Sequence, residues 1–241
     1  MRTSLGLIAV AALVGAGFTT AGAQAASAQP VTDHAAPGKA SHAAHPTSDP
    51  SSDYTPPPIQ WGQCPTASLQ NAGAVCGMLT VPLDYAHPDG TKIQLAVSKI
   101  AHKTSDAAAQ GPMLVNPGGP GGSGLGLARL GAFVPNGGGD PYDWIGFDPR
   151  GVGRSVPQLS CDGDYFAAGR PSYDPAAGTT QFWLAKAAAY AGDCEASAAQ
   201  LLRHDHTTDW VADMESIRKA LGADKINYYG FSYGTYLGQV Y

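Results

Sequence analysis

Gly230-Phe231-Ser232-Tyr233-Gly234 sets a serine between two glycines, directly after an apolar run. This G-x-S-x-G spacing suits a serine on a sharp turn between a strand and a helix, where the hydroxyl is exposed as a nucleophile. The glycines permit the close backbone approach that such a turn needs. Tyr233 then opens the helix with a backbone N–H that an oxyanion can use. On the pentapeptide alone this reading competes evenly with an ordinary helix N-cap serine.

A second stretch decides between them. Asn116-Pro117-Gly118-Gly119-Pro120-Gly121-Gly122-Ser123-Gly124 follows the short apolar run Met113-Leu114-Val115. Glycines leave backbone N–H groups uncovered, so the loop can cradle an anion. An oxyanion hole takes one N–H from such a loop and one from the residue after the nucleophile. Gly119 and Tyr233 are the candidate donors. Gly119, Gly121 and Gly124 also satisfy the G-x-G-x-x-G dinucleotide fingerprint, with Asp140 and Asp143 downstream. That alternative is disfavoured. The run before the loop reads as the third strand of a sheet, not the first of a βαβ unit, and Pro120 is awkward in a phosphate-binding turn. No cofactor is expected.

A third stretch, Asp148-Pro149-Arg150-Gly151-Val152-Gly153-Arg154-Ser155, reads as a glycine-rich loop with a buried salt bridge involving Asp148 and Arg150. A serine nucleophile also needs a base. All seven histidines precede Ser232, and His204 and His206 are the nearest in sequence. Glu195 and Glu215 read as helix-surface residues.

These groups need elements to hold them. Met78-Leu79-Thr80-Val81 and Ile93-Gln94-Leu95-Ala96-Val97 read as strands, joined by turn chemistry at His87-Pro88-Asp89-Gly90. They form an expected antiparallel hairpin. Met113–Val115 and Trp144–Phe147 are short apolar runs that end in loops, as buried parallel strands do. Gln181 to Arg203 is helical in composition and lies in an excursion at about 161–206. A clear helix follows, capped by Thr207 or Thr208. Its Trp210, Met214, Ile217 and Leu221 share one face, Asp209 and Asp213 sit near its start, and Gly222 is its stop. Ile226 to Phe231 is then the strand that leads into Ser232.

The composition is globular, with 44% apolar residues. The charged fraction is 14% and the net charge −5. Basic residues are few and scattered, so no nucleic-acid partner is expected. Arg2 and the apolar run Leu5 to Phe18, followed by small residues up to Ala28, read as a secretory signal peptide over 1–28. The run is shorter than the ~20 residues of a spanning helix, so no stable membrane anchor is expected and the chain is read as secreted. Residues 29–58 read as a disordered arm or pro-segment containing His34, His42 and His45. The four cysteines, Cys64, Cys76, Cys161 and Cys194, suit two disulfides in an exported chain. Three pairings are possible. Cys64–Cys76 with Cys161–Cys194 is favoured because each closes a local loop. No metal site is expected, since no C-x-x-C spacing occurs.

The ordered set Val81-Pro82-Leu83-Asp84-Tyr85, NPGGPGGSG, DPRGVGRS and GFSYGTYLG resembles the secreted tripeptidyl aminopeptidases of actinomycetes. These form part of the prolyl-aminopeptidase-like branch of the α/β-hydrolases. The resemblance spans Trp61 to Tyr241. It implies an α/β-hydrolase fold over 59–241, with a mostly parallel sheet and an N-terminal antiparallel hairpin. It implies a serine exopeptidase acting on peptides with free N-termini, with Ser232 as nucleophile and Gly119 and Tyr233 as oxyanion donors. Pro117 stands where many relatives have histidine, as in the secreted branch. In this fold the acid and the histidine follow the serine, and the sequence stops at Tyr241. The chain is therefore expected to be the N-terminal half of such an enzyme, without useful turnover alone and with an exposed sheet edge that favours aggregation. A secreted esterase or lipase on the same fold is the main alternative. A non-enzymatic binding module is a third.

Overall fold

A computed structural model describes residues 54–241. The expected signal peptide and most of the expected arm lie outside the described residues. The elements run β1 (Gly62–Gln63), α1 (Ala67–Asn71), β2 (Val75–Pro82), β3 (Lys92–Ile100), β4 (Pro112–Asn116), β5 (Asp143–Phe147), α2 (Thr180–Leu202), α3 (Thr207–Ala220), β6 (Asn227–Gly230) and α4 (Tyr233–Val240). One six-stranded sheet has the order β1-β2-β3-β5-β4-β6. It is mixed. β1, β2, β3 and β5 pair antiparallel in turn, whereas β5, β4 and β6 are parallel. The parallel part carries the loops picked out in the sequence.

β2 and β3 form the expected hairpin, with Met78 opposite Ala96. Both strands run longer than their apolar cores suggest. β4 and β5 are central and covered on both faces. Leu114, Ile145 and Phe147 face a core built with Trp210, Met214 and Ile217 of α3 and Leu237 of α4. Val115 and Trp144 face the opposite way, onto Ala128 in a run of 3₁₀ helix at Leu125–Phe133. That run lies close to the sheet because Gly146 has no side chain. A Cβ there would stand 2.6 Å from Gly124 O and 2.7 Å from Leu125 O.

α3 is held by its apolar face. Burying side chains of this size contributes roughly 1.5–3 kcal/mol each, and Trp210, Met214 and Ile217 are all buried. Its start differs from expectation. His206, not a threonine, is the N-cap residue, and the Asp209 carboxylate accepts its backbone N–H at 2.9 Å. Its end is as read. Gly222 has φ +66° and donates to Lys219 O at 2.9 Å, while Ala223 donates to Arg218 O at 3.2 Å.

Two further differences concern charge and boundary. Arg150 does not pair with Asp148. It makes a two-nitrogen contact with Asp213, Nε to Oδ2 at 2.8 Å and Nη2 to Oδ1 at 2.7 Å, and donates to Leu83 O at 2.9 Å. Asp213, assigned by sequence to the helix start, is thus a buried partner. Tyr54–Pro58, assigned to the arm, packs on the body. The Tyr54 hydroxyl donates to Thr80 O at 3.0 Å, and its ring meets Tyr85 edge-on at 6.2 Å.

Disulfides join Cys64 to Cys76 and Cys161 to Cys194. The second ties α2 to the start of the excursion. α2 itself is mostly exposed, with Leu201 its buried residue. Phe182 and Leu184, read as its apolar start, are 44% and 58% exposed. Among the described residues no helix is long and apolar enough to cross a membrane.

Candidate active site

Ser232 sits between β6 and α4, at the C-terminal end of the parallel strands, and is exposed. Its backbone has φ 52° and ψ −125°. A non-glycine residue there is strained by about 1–3 kcal/mol, and such strain persists only where the surroundings over-determine it. They do so here. Gly234 donates to Phe231 O at 2.7 Å and Thr235 to Ser232 O at 2.9 Å, starting α4 at once. Gly234 must be glycine because a Cβ would stand 2.8 Å from Asn116 O. Gly230 is equally confined, 2.5 Å from Gly234 O by the same measure.

The glycine loop meets this turn directly. Phe231 N–H donates to Asn116 O at 3.0 Å, so the last residue of β4 and the residue before Ser232 share a hydrogen bond. Gly118 has φ +84°, and a Cβ on it would meet Phe231 O, Tyr233 N at 2.8 Å and Ser232 Cβ at 2.9 Å. The backbone of the loop is therefore pressed against the serine turn. Gly119 follows, exposed, at φ +113°. Among the described residues neither the Gly119 nor the Tyr233 N–H has a backbone acceptor. Both face no competing partner, which is the condition for receiving an oxyanion.

Asn116 was not singled out by sequence. Its Oδ1 accepts the Gly118 N–H at 2.8 Å, an Asx-type turn that the Asn-Pro-Gly order could have signalled. Its Nδ2 is buried without a partner among the described residues. Gly118 was also passed over in favour of Gly119, because sequence gives no view of which glycine touches the turn.

The histidines are engaged elsewhere. His102 Nδ1 lies 2.8 Å from Asp143 Oδ1 and its Nε2 3.2 Å from Asp106 Oδ1, at the end of the sheet opposite Ser232. His87 Nδ1 lies 2.6 Å from Asp84 Oδ2, with His204 Nδ1 4.0 Å from the other oxygen of that carboxylate. His206 Nδ1 is 3.1 Å from Asp209 Oδ2. No hydrogen bond joins Ser232 Oγ to a described histidine. His34, His42 and His45 lie outside the described residues.

The dinucleotide fingerprint does not lead where it should. Its loop opens onto 3₁₀ helix, not the N-terminus of an α-helix. Asp140 is taken by Lys103 at 3.3 Å and Asp143 by His102, both at the far end of the strands.

Comparison with known proteins gives one family match and three similar proteins. The family model described as the alpha/beta hydrolase fold matches residues 111–241. The chain is 41% identical over 192 residues to a protein named tripeptidyl aminopeptidase from Streptomyces lividans, covering 76% of this chain and 35% of that one. It is 37% identical over 194 residues to serine protease Hip1 of Mycobacterium tuberculosis, covering 76% and 36%. It is 35% identical over 131 residues to carboxylesterase B of the same species, covering 49% and 24%. The chain thus spans about a third of the length of the first two of these relatives.

Proposed function

Because the chain belongs to the α/β-hydrolase fold family, whose match covers more than half of it, we propose that it carries the nucleophile and oxyanion hole of a secreted serine peptidase of the tripeptidyl aminopeptidase type. The observation that carries this reading is the backbone of Ser232, at φ 52° and ψ −125° with Gly118 packed against it. Strain of that kind on an exposed serine is difficult to explain as an ordinary helix cap.

The chemistry follows from the parts. Ser232 Oγ attacks the carbonyl carbon of the scissile amide. The oxygen that gains charge accepts from the N–H groups of Gly119 and Tyr233. Loss of one such donor typically lowers the rate ~10²–10³-fold. The amine leaves with a proton, and water then hydrolyses the acyl-enzyme. The proton has to pass through a base, and no described histidine stands by Ser232. The 241 residues alone are accordingly expected to lack turnover. Substrates are peptides with a free N-terminus, and export supplies the oxidising surroundings that suit the two disulfides.

The test is a chimera in which residues 59–241 replace the matching segment of the Streptomyces lividans relative. It is assayed on a tripeptide anilide with a free N-terminus, on the N-acetylated anilide and on a simple acyl ester. Release from the free tripeptide alone, lost in Ser232→Ala, is the expected result. Release from the ester alone would favour an esterase, the second reading supported by the similarity to carboxylesterase B. Ser232-dependent release by the 241-residue chain itself would overturn the expectation that it lacks turnover alone.

A further inference from the structure

Asp148 is buried, 1% exposed, and no cation meets it among the described residues. Its charge is met by neutral donors alone. Oδ1 accepts from Ser123 Oγ at 2.6 Å and from Leu125 N–H at 3.0 Å. Oδ2 accepts from Arg154 N–H at 2.8 Å. Ser123 and Leu125 flank the exit of the glycine loop, and Arg154 belongs to the loop after β5. One carboxylate therefore joins two loops that are distant in sequence.

We propose that Asp148 is a positioning residue for the oxyanion loop, holding it through Ser123 and Leu125 so that Gly118 and Gly119 stay against the Ser232 turn. The inference rests on the role proposed above for Gly119. The loop is pinned at both ends. At its start Asn116 Oδ1 accepts from Gly118 N–H at 2.8 Å. In its middle Gly122 N–H donates to Gly118 O at 3.1 Å and closes a turn. At its exit the Asp148 carboxylate takes Ser123 Oγ and Leu125 N–H, while Ser98 Oγ donates to Leu125 O at 2.6 Å from the sheet side. Hydrogen bonds to a charged acceptor are roughly twice as strong as neutral ones, and burial strengthens them further.

The surroundings fit this role and not that of a chance contact. Gly153 has φ +58°, and a Cβ there would stand 2.6 Å from Asp148 Cγ, so glycine is what lets that loop close over the carboxylate. Ser155 Oγ donates to Asp148 O at 2.6 Å and accepts from Ala96 N–H at 3.0 Å, anchoring the backbone of Asp148 to β3. The carboxylate is thus fixed on its own side and can impose a position on the glycine loop.

The test uses Ser123→Ala, which removes one donor at an exposed position, and Ser123→Thr, which keeps the hydroxyl. Amide hydrogen exchange is followed residue by residue on the intact chain. In Ser123→Ala the Gly118, Gly122 and Leu125 amides should exchange about tenfold faster, while β4 and β6 keep their rates. Ser123→Thr should restore the loop. Unchanged loop exchange, or an increase spread equally over β4 and β6, overturns the proposal. In the chimera, Ser123→Ala should lower kcat about tenfold with KM little altered. A raised KM at unchanged kcat would also overturn it. Exchange needs no substrate, so it tests the clamp even if Ser232 proves not to be a nucleophile.

Discussion

Arg150 and Asp213 meet through two hydrogen bonds of 2.8 and 2.7 Å, with both side chains out of water. The pair joins the loop after β5 to α3. The Tyr85 hydroxyl adds a bond to Asp213 Oδ1 at 2.9 Å and lies 2.9 Å from Ser216 Oγ. Arg150 also donates to Leu83 O and, at 2.6 Å, to His204 O. The end of β2, the end of the excursion and α3 thus converge on one guanidinium. Removing one partner of such a pair leaves a buried charge uncompensated.

Arg150→Met should therefore lower stability by about 3–5 kcal/mol. Arg150→Met with Asp213→Leu should recover a large part of that loss, because the stranded carboxylate goes with its partner. Urea denaturation of the two variants and the parent measures both. Equal losses in the single and double variants would show that the carbonyl contacts, not the charge pair, dominate.

Sequence made some of this legible. The apolar runs of β4 and β5, the i, i+4, i+7 stripe of α3 and the G-x-S-x-G turn each depend on local periodicity or local steric need, and they fall where expected. Contacts between distant segments were not legible. Asp213 looked like a helix-start acid because local sequence records only its position near an N-terminus. Asp148 looked like half of an ion pair because Arg150 is two residues away, yet Asp148 takes donors from the glycine loop and Arg150 pairs with Asp213 on α3. Tyr54 looked like the end of an arm because its partners, Thr80 and Tyr85, come later in the chain.

Strain at Ser232 has a thermodynamic consequence. Its φ of 52° is open to glycine but costly for a residue with a Cβ. Ser232→Gly should raise stability by about 1–2 kcal/mol, whereas Ser232→Ala, which keeps the Cβ, should change it little. Thermal melting of the two variants side by side distinguishes them. A Ser232→Gly variant no more stable than Ser232→Ala would argue against stored backbone strain.

Gly118 supplies the complementary case. A methyl group there must displace Phe231 O or Tyr233 N and also accept φ +84°. Gly118→Ala should cost roughly 2–4 kcal/mol, combining overpacking with a left-handed backbone. Gly121, with φ +98° but open space around it, should show the backbone cost alone. Gly121→Ala is therefore expected to be the milder of the two in the same denaturation experiment.

His102 links pH to stability at the opposite end of the sheet. Its hydrogen bond to the Asp143 carboxylate, with a second to that of Asp106, raises the imidazole above its ordinary 6.5. A raised folded value means that the protonated ring favours the folded chain. The contribution is fully present below about pH 6.5 and fades as pH rises through the folded value. The melting temperature of the parent should exceed that of His102→Asn at pH 5, and the gap should narrow by pH 8. A gap that widens with pH would reverse the sign and remove the carboxylates as its cause.

The Cys161–Cys194 disulfide spans 33 residues and ties the excursion to itself, not to the sheet. α2 buries little besides Leu201, so its attachment to the body is slight. The excursion's firm ties are at its far end, where Arg150 donates to His204 O and Trp210 Nε1 donates to Asp205 Oδ1 at 2.6 Å. Cross-linking a loop of this length contributes about 2–4 kcal/mol by limiting the unfolded chain. Without the bridge, the cost should be local. Cys161→Ser with Cys194→Ser is expected to make 161–202 the first site of proteolytic cleavage, while fragments containing β2 to β5 and α3 to α4 stay resistant. Loss of protection across the sheet at the same protease concentration would mean that the excursion is an integral layer of the fold, and that the core depends on it more than its few buried residues imply.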